Sequence, residues 1–254
     1  RYILSGTATL FFFLVFLFNF IAASRYLGVD IEEMARVDRL EFNRRRRFLR
    51  HFQSGSMRAY IPLSLVMAVA IALPFYEEWQ QALLFVFAPE AGVKDFIFQE
   101  DVSFYLFSFP IYQLIQKELL LASIVLTGAL GILYVIEHRI SAGRVRHWPV
   151  GPKLHLSGMV VVIALFIAWG FALERFQLLY TEEHEPQFFG PGLLETAYFL
   201  PLIWCSVLSL LGTTISGLWF LHRRKGAWPL ALLALVFGFS IGLRHIHFIP
   251  EAFE

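Results

Sequence analysis

Six long apolar segments constrain this chain more than any other feature of its sequence. A helix needs about 20 mostly apolar residues to cross a hydrocarbon layer roughly 30 Å thick, and no segment shows the period-two alternation of a membrane β-strand. The sequence therefore predicts an all-α fold, a polytopic transmembrane helical bundle. The predicted spans cover residues 2–23, 60–75, 119–136, 154–173, 197–221 and 228–243. The third span is also compatible with an earlier start, through Pro110 to Phe104.

The composition excludes most classes of soluble protein. Hydrophobic residues make up 57% of the chain and charged residues 16%, whereas a soluble domain has roughly 45–50% and about 25%. An aqueous enzyme and a disordered chain are therefore excluded. The single cysteine, Cys205, has no intrachain disulfide partner, so a disulfide scaffold is excluded too.

Basic and acidic loops alternate along the chain. Most of the 21 Lys and Arg residues lie in the loops after the first, third and fifth spans, whereas Asp and Glu dominate the loops after the second and fourth. Because loops rich in Lys and Arg stay in the cytoplasm, both ends of this chain are predicted to lie outside it. The basic loops are residues 24–59, 137–153 and 222–227, and the acidic loops are residues 76–103 and 174–196.

Both ends of the sequence indicate a longer protein. Arg1 directly precedes an apolar segment, without the features of a signal peptide. An external end that begins in a helix is expected where an earlier span exists. Residues 249–254, with Pro250 and two glutamates, are expected to begin an extracytoplasmic region.

Three stretches resemble one protein family. The first, residues 99–112, holds an acidic residue followed by Ser-Phe-Tyr-Leu-Phe and a proline. The second covers the fourth span, from His155 near its start to residues 173–180 at its end. The third, residues 189–201, begins with Phe-Gly-Pro-Gly. Together they are similar to UPF0182, an uncharacterised bacterial membrane family. The resemblance implies an inner-membrane protein with about seven helices and a large extracytoplasmic domain. Residues 190–196 depart from the Gly-Ala-Gly-Tyr-Thr-Asp-like run of that family.

Two adjacent charge pairs are candidates for a functional site. Lys117 and Glu118 precede the predicted third span, and Glu174 and Arg175 follow the fourth on the same side. The four side chains are suited to an ion network between two helices; the alternative is that each pair marks a headgroup boundary. With these boundaries no span has a charged centre, which argues against a proton-coupled transporter.

Several histidines are candidate ligands of a metal ion or a haem. His184, His245 and His247 are predicted to lie on one side of the membrane, near acidic residues. However, residues i and i+2 share a face only in an extended chain, which favours a solvated connector, and we predict neither a metal site nor a cofactor. Axial haem histidines lie within the spans of a b-type bundle; here His138 and His155 lie near span ends instead.

The largest charge feature is the run from Arg44 through Arg45 and Arg46 to Arg47. Apolar residues recur at near-helical spacing around it, which predicts an amphipathic helix on the cytoplasmic leaflet within residues 30–58. Each arginine on an anionic headgroup contributes about 1 kcal/mol. Nucleic-acid binding is not indicated, because topology accounts for the charge. The aromatic stretches 78–88 and 103–112 are predicted to be interfacial, the second broken at Pro110.

The sequence alone favours a structural role. No catalytic constellation is recognisable, so an enzyme is not predicted. The leading hypothesis is a membrane scaffold: the anchor of an extracytoplasmic domain, or a non-catalytic subunit of a larger membrane complex. Its expected partners are membrane lipids and other membrane subunits. The alternative is a transporter or lipid-handling protein that uses Lys117, Glu118, Glu174 and Arg175.

Overall fold

The fold is helical throughout the part of the chain that the structure describes. This computed structural model describes the backbone of residues 1–35, 39–141, 150–180, 195–223 and 227–245, and the side chains of residues 1–26, 58–135, 150–179, 196–223 and 227–244. No β-strand occurs among these residues; the one β-type pairing recorded is an isolated bridge between Lys94 and Asp101.

Seven α-helices occur within the described backbone. In chain order they are α1 (Tyr2–Ala35), α2 (Arg39–Glu77), α3 (Trp79–Phe87), α4 (Phe109–Ser141), α5 (Val150–Gln177), α6 (Leu200–Arg223) and α7 (Ala227–His245). Two short π-helical turns, Phe104–Ser108 and Glu195–Phe199, lead into α4 and α6, and a 3₁₀ turn, Leu178–Tyr180, follows α5.

Six helical stretches among the described residues are long and apolar enough to cross a membrane. They are Tyr2–Tyr26, Arg58–Glu77, Phe104–Val135, Val150–Gln177, Thr196–Arg223 and Ala227–Arg244. Each overlaps one of the six predicted spans. The prediction of an all-α polytopic transmembrane bundle is therefore confirmed.

The third span differs most from its predicted position. The helical stretch that contains it begins at Phe104, in agreement with the earlier start, and continues through Pro110. The predicted break at Pro110 was therefore wrong. Phe109 N–H bonds to the carbonyl of Phe104, five residues earlier. Proline has no N–H to donate and its ring crowds the preceding turn. The chain accommodates Pro110 with a wider π-helical turn in front of it, and the helix continues.

The predicted basic segment is helical, but it is not a separate helix. The first span ends at Tyr26, but helix α1 continues to Ala35, and α2 runs without interruption from Arg39 through the second span. The side chains of Arg44, Arg45, Arg46 and Arg47 lie outside the described residues, so their contact with lipid headgroups stays a prediction.

The chain divides into two compact units, and the first comprises residues 1–87 and 121–159. In this unit α1 packs against α2 through phenylalanines one turn apart. Phe12, Phe16 and Phe20 are buried, and the ring of Phe20 stacks on that of Tyr60 at a centroid distance of 5.2 Å. Ala68 and Ala72 are buried on α2, where small side chains allow close helix packing.

The second unit comprises residues 88–120 and 160–254 and has an aromatic core. Phe176, near the end of α5, is surrounded by four other rings with centroids 5.0–5.9 Å away: Phe98, Phe104, Tyr105 and Phe109. Edge-on ring contacts such as these are favoured by the aromatic quadrupole. The cluster joins the end of α5 to the start of the third span, and we call this side of the unit the loop end.

Helices α6 and α7 pack against each other in the same unit. The hydroxyls of Ser206 and Ser240 lie 2.9 Å apart and are buried. Gly212 faces Leu233, whose methyl carbon would lie only 3.1 Å from an added Cβ. Small residues and a buried hydrogen bond are the usual means by which helices associate in lipid, where apolar burial gives little advantage.

We expect Phe176→Ala to destabilise the protein by about 3 kcal/mol, because it leaves a cavity at the centre of the aromatic cluster. Thermal unfolding of the purified protein in detergent measures the loss. Leu165→Ala on the same helix is the control, since Leu165 is 51% exposed. Equal losses of stability in the two variants would contradict the role given to the cluster.

Candidate functional site

Lys117 and Glu118 lie at hydrocarbon depth. The third span runs over 32 residues, from Phe104 to Val135, whereas about 20 helical residues cross the hydrocarbon. Windows of that length that begin between Phe104 and Lys117 include one or both of these residues. The prediction that no span carries a central charge requires a later window, such as residues 119–138 of the same helix, which continues to Ser141.

A hydrogen bond between α4 and α5 supports this depth. The side-chain amide of Gln116 donates to the carbonyl of Phe166, with Nε2 and O 2.8 Å apart. Phe166 lies near the middle of Val150–Gln177. Lys117 and Glu118 are the next residues along α4, so they lie close to the midpoint of both spans.

Gly170 makes room for this hydrogen bond. A Cβ atom at Gly170 would lie 2.7 Å from Nε2 of Gln116, which is closer than real Cβ atoms approach other heavy atoms. Gln116 can thus cross to α5 only because residue 170 has no side chain.

A cleft of about 360 Å³ lies between these segments of α4 and α5, and we call it the α4–α5 cleft. Its deepest lining residues are apolar, Leu120 and Ile167, whereas Gln113, Glu174 and Gln177 line it towards the loop end. The other lining residues are Gln116, Lys117, Gly170, Phe171 and Leu173. The cleft is therefore apolar near the middle of the spans and polar towards the loop end.

Glu118 points away from the cleft. Its side chain is 3% exposed, and Oε2 has no hydrogen-bond partner among the described residues. Ile111 and Ala122, on the same face of α4, are buried as well. Neighbouring residues on a helix point about 100° apart, so Glu118 faces the protein interior while Lys117 faces the cleft.

Glu174 forms an ion pair with Arg244 at the end of α7. This partner was not identified from the sequence, where Glu174 was grouped with Lys117, Glu118 and Arg175. The pair links α5 to α7 at the loop end.

Arg175 lies among aromatic rings instead of carboxylates. Its guanidinium carbon is 4.4 Å from the centroid of Phe176 and 5.8 Å from those of Phe98 and Trp204, a cation–π arrangement. Among the described residues, the ion pair formed by this group is that of Glu174 with Arg244, outside the four residues of the predicted network. Lys117 and Glu174 line the same cleft, whereas Glu118 and Arg175 face other surroundings.

Two aspartates fix the loop of residues 88–103, outside the spans. Asp101 accepts hydrogen bonds from the N–H groups of Ala91, Gly92 and Ser103 at 2.8–3.0 Å. Hydrogen bonds from Ser103, together with those from Ala91 and Gly92, lower the pKa of Asp101 to about 2. Gly92 has a φ of 71°, which glycine adopts without strain.

Asp95 connects this loop to the first turn of the third span. It accepts hydrogen bonds from the N–H groups of Ile97, Phe98 and Glu100 and from the hydroxyl of Tyr105, at 2.6–2.8 Å. Burial acts to raise the pKa of Asp95, but the bonds from the Tyr105 hydroxyl and the backbone outweigh it, and the pKa lies below its ordinary value.

The first unit holds a polar cluster around His155. Nδ1 of His155 lies 2.7 Å from the hydroxyl of Tyr134, and Nε2 lies 3.1 Å from Oδ1 of Asn19. The amide nitrogen of Asn19 donates to the carbonyl of Val15, so its oxygen accepts from His155 and Nδ1 accepts from Tyr134. Both ring nitrogens are thus engaged by protein groups.

The candidate metal ligands fall mostly outside the described residues. His184 and His247 are not described, and of His245 only the backbone is. Within the described part of the chain, no group of three or more His, Cys, Asp or Glu is placed to hold a metal ion.

We expect Asp101→Asn to increase amide hydrogen exchange at residues 91, 92 and 103, because the new amide turns a donor towards N–H groups. Exchange measured by mass spectrometry tests this, with the exposed Glu90→Gln as the control. In the unmodified protein the pKa of Asp101 is lowered from 3.8 to about 2. The protection of these amides should therefore hold above pH 3.8 and be lost as the pH falls through about 2. Protection that is unchanged in Asp101→Asn would contradict this role.

Comparisons with known proteins identify the family of this chain. Residues 1–254 match the family described as "Uncharacterised protein family (UPF0182)". The chain is 48% identical to a UPF0182 protein of Methylococcus capsulatus and 42% identical to one of Syntrophobacter fumaroxidans, over 100% of this chain in both cases. It covers 28% and 29% of those relatives, so it spans less than a third of their length. No solved structure matches. The chain belongs to the UPF0182 family of multi-pass membrane proteins.

Proposed function

We propose that this chain is the membrane-embedded part of a protein that handles a polar or amphiphilic ligand within the bilayer, as a transporter or a lipid-handling protein. The observation that carries the proposal is the position of Lys117 in a cleft at hydrocarbon depth. In this proposal the ligand is held or moved, not chemically converted, and the chain is not an enzyme.

The energetic cost of this lysine supports a functional role. A lysine at the centre of a membrane helix costs about 2.5–3.5 kcal/mol on insertion scales. Charged residues at such depth face the bundle interior or a water-filled cavity and often mark a substrate path. Lys117 is exposed in the described structure, and the lining carboxylate, Glu174, is paired with Arg244. Water or a ligand in the cleft would stabilise the ammonium group.

The scaffold function is the second candidate. Relatives are more than three times as long as this chain, which covers 28% of the first of them. A bundle of six spans is suited to anchor the remainder of such a protein, or to act as a non-catalytic subunit of a membrane complex. The scaffold function is favoured by the absence of a recognisable catalytic constellation in the sequence, by aromatic-rich helix faces and by span centres predicted to be uncharged. The hydrogen bond from Gln116 to Phe166, beside Lys117 and Glu118, weakens the last of these arguments.

The membrane and its sides are part of the proposal. The alternation of basic and acidic loops favours the bacterial inner membrane, with both ends of this chain and the loop of residues 88–103 outside the cytoplasm. The arginines at 44–47 would then contact anionic headgroups of the cytoplasmic leaflet. Other membrane subunits are the expected protein partners.

Cysteine labelling of the full-length protein, purified in phospholipid-free detergent so that the cleft holds no lipid, tests for a wet cleft. In a Cys205→Ala background, Ile167→Cys places a thiol in the cleft, whereas Leu165→Cys places one on an exposed face of the same helix. We expect a charged methanethiosulfonate to modify Ile167→Cys at least about tenfold faster, because the reactive thiolate needs water to form.

Equal, slow modification of both cysteines would show a dry cleft and would favour the scaffold function. Leu120→Cys, on the opposite wall of the cleft, repeats the measurement if Ile167→Cys does not fold. A single symmetric peak in size-exclusion chromatography is the criterion for folding.

A further inference from the structure

We infer that the α4–α5 cleft binds a phosphate group beside Lys117, and that this phosphate belongs to the headgroup of a membrane phospholipid whose chain lies along Leu120 and Ile167. The inference rests on the proposed function and specifies the class of ligand. Free phosphate would use the same side chains, and the experiment below separates the two sources.

The order of polar and apolar residues along the cleft matches that of a lipid. Gln113 and Gln177 line it towards the loop end, Lys117 follows, and Leu120 and Ile167 lie deepest. A phospholipid in the leaflet at the loop end has the same order, with its headgroup outside and its chains towards the middle of the bilayer. A free polar solute would gain no stabilisation from contact with the apolar side chains of Leu120 and Ile167.

The direction of the Lys117 side chain brings its charge towards headgroup depth. Side chains on a helix lean towards its N-terminus, and the N-terminus of α4 lies at the loop end. A lysine near the middle of a span extends its ammonium group along this direction while its methylenes stay in apolar surroundings. The ammonium group thus lies between the apolar floor and the glutamines.

The charges around the cleft favour an anion. Among its described lining residues Lys117 is the cation and Glu174 the anion, and Glu174 is already paired with Arg244. Glu118 is buried on another face of α4. The field within the cleft is therefore dominated by the ammonium of Lys117, and the lining glutamine amides supply additional hydrogen-bond donors.

The size of the cleft fits a headgroup, not a whole lipid. Ligand sites typically have volumes of about 300–1,000 Å³, and this cleft has about 360 Å³. A phosphate, its glycerol and the first part of one chain fill such a space. The remaining chain atoms stay in the bilayer, so a bound lipid can enter and leave sideways.

Lipid retention by the full-length protein tests the inference. The protein is reconstituted in vesicles of phosphatidylcholine with a minor fraction of phosphatidylglycerol, extracted in mild detergent and examined by native mass spectrometry. We expect phosphatidylglycerol to be enriched over phosphatidylcholine in the retained lipid. Lys117→Gln should reduce this enrichment about fivefold, because one basic residue is lost near the headgroup, and Lys117→Arg should keep it.

Lys94→Gln is the matched control, since Lys94 lies in the exposed loop at the same end and does not line the cleft. Equal enrichment in the unmodified protein and in Lys117→Gln would overturn the inference, because the retained lipid would then bind elsewhere. The source of the phosphate is tested by the rate at which Ile167→Cys is labelled in phospholipid-free detergent. If inorganic phosphate slows this labelling and phosphatidylglycerol does not, the lipid is overturned as the source of the phosphate.

The two proposals fail in different ways. No enrichment of phosphatidylglycerol, together with fast labelling of Ile167→Cys relative to Leu165→Cys, overturns the lipid ligand and leaves a polar path through the cleft. Slow labelling of both cysteines overturns the proposed function itself, and the lipid site with it.

Discussion

Within hydrocarbon a polar group without a partner inside the protein is costly, and hydrogen bonds that meet this cost organise much of the described structure. Hydroxyls of Ser123, Ser206 and Ser209 are buried, and the Ser206 and Ser209 hydroxyls donate to carbonyls one turn earlier in their own helix. Gln116 instead crosses to the carbonyl of Phe166 on another helix. A bond of the second kind fixes two helices against each other, and it does so here at the depth where Lys117 and Glu118 occur. The cleft therefore exists where one glutamine and one glycine let α4 and α5 approach.

Contacts at the loop end help to position the two walls of the α4–α5 cleft. Asp95 accepts a hydrogen bond from Tyr105, on the π-helical turn that begins the third span, and Phe98 of the same loop packs on Phe176 near the end of α5. The loop is thus bonded to the start of one cleft wall and packed against the end of the other. Because a helix is stiff, fixing its first turn also fixes residues three to four turns further on. The ordered conformation of the loop of residues 88–103 thus helps to fix the geometry of the α4–α5 cleft.

The sequence predicted the six spans because apolar length is a local property, and it failed where a local signal was ambiguous. A proline within an aromatic run suggested an interfacial break at Pro110, whereas a π-helical turn carries the helix through it. A start of the span at residue 119 puts Lys117 and Glu118 at its border, whereas the hydrogen bond from the adjacent Gln116 to Phe166 puts them level with the middle part of α5. Partners distant in sequence were beyond prediction for another reason. Arg244 is 70 residues from Glu174, and His155 is 136 residues from Asn19. Only the packing of helices brings such pairs together.

The two functions considered for this chain make different demands on the same residues. An anchor requires stable helices and gains nothing from a lysine at hydrocarbon depth, where the charge is costly. Replacing Lys117 by leucine would serve an anchor better. The actual sequence instead keeps a charged group in the cleft between α4 and α5. Local destabilisation of this kind is expected at a site that must admit a ligand, and this is the strongest physical reason to place ligand handling before anchoring.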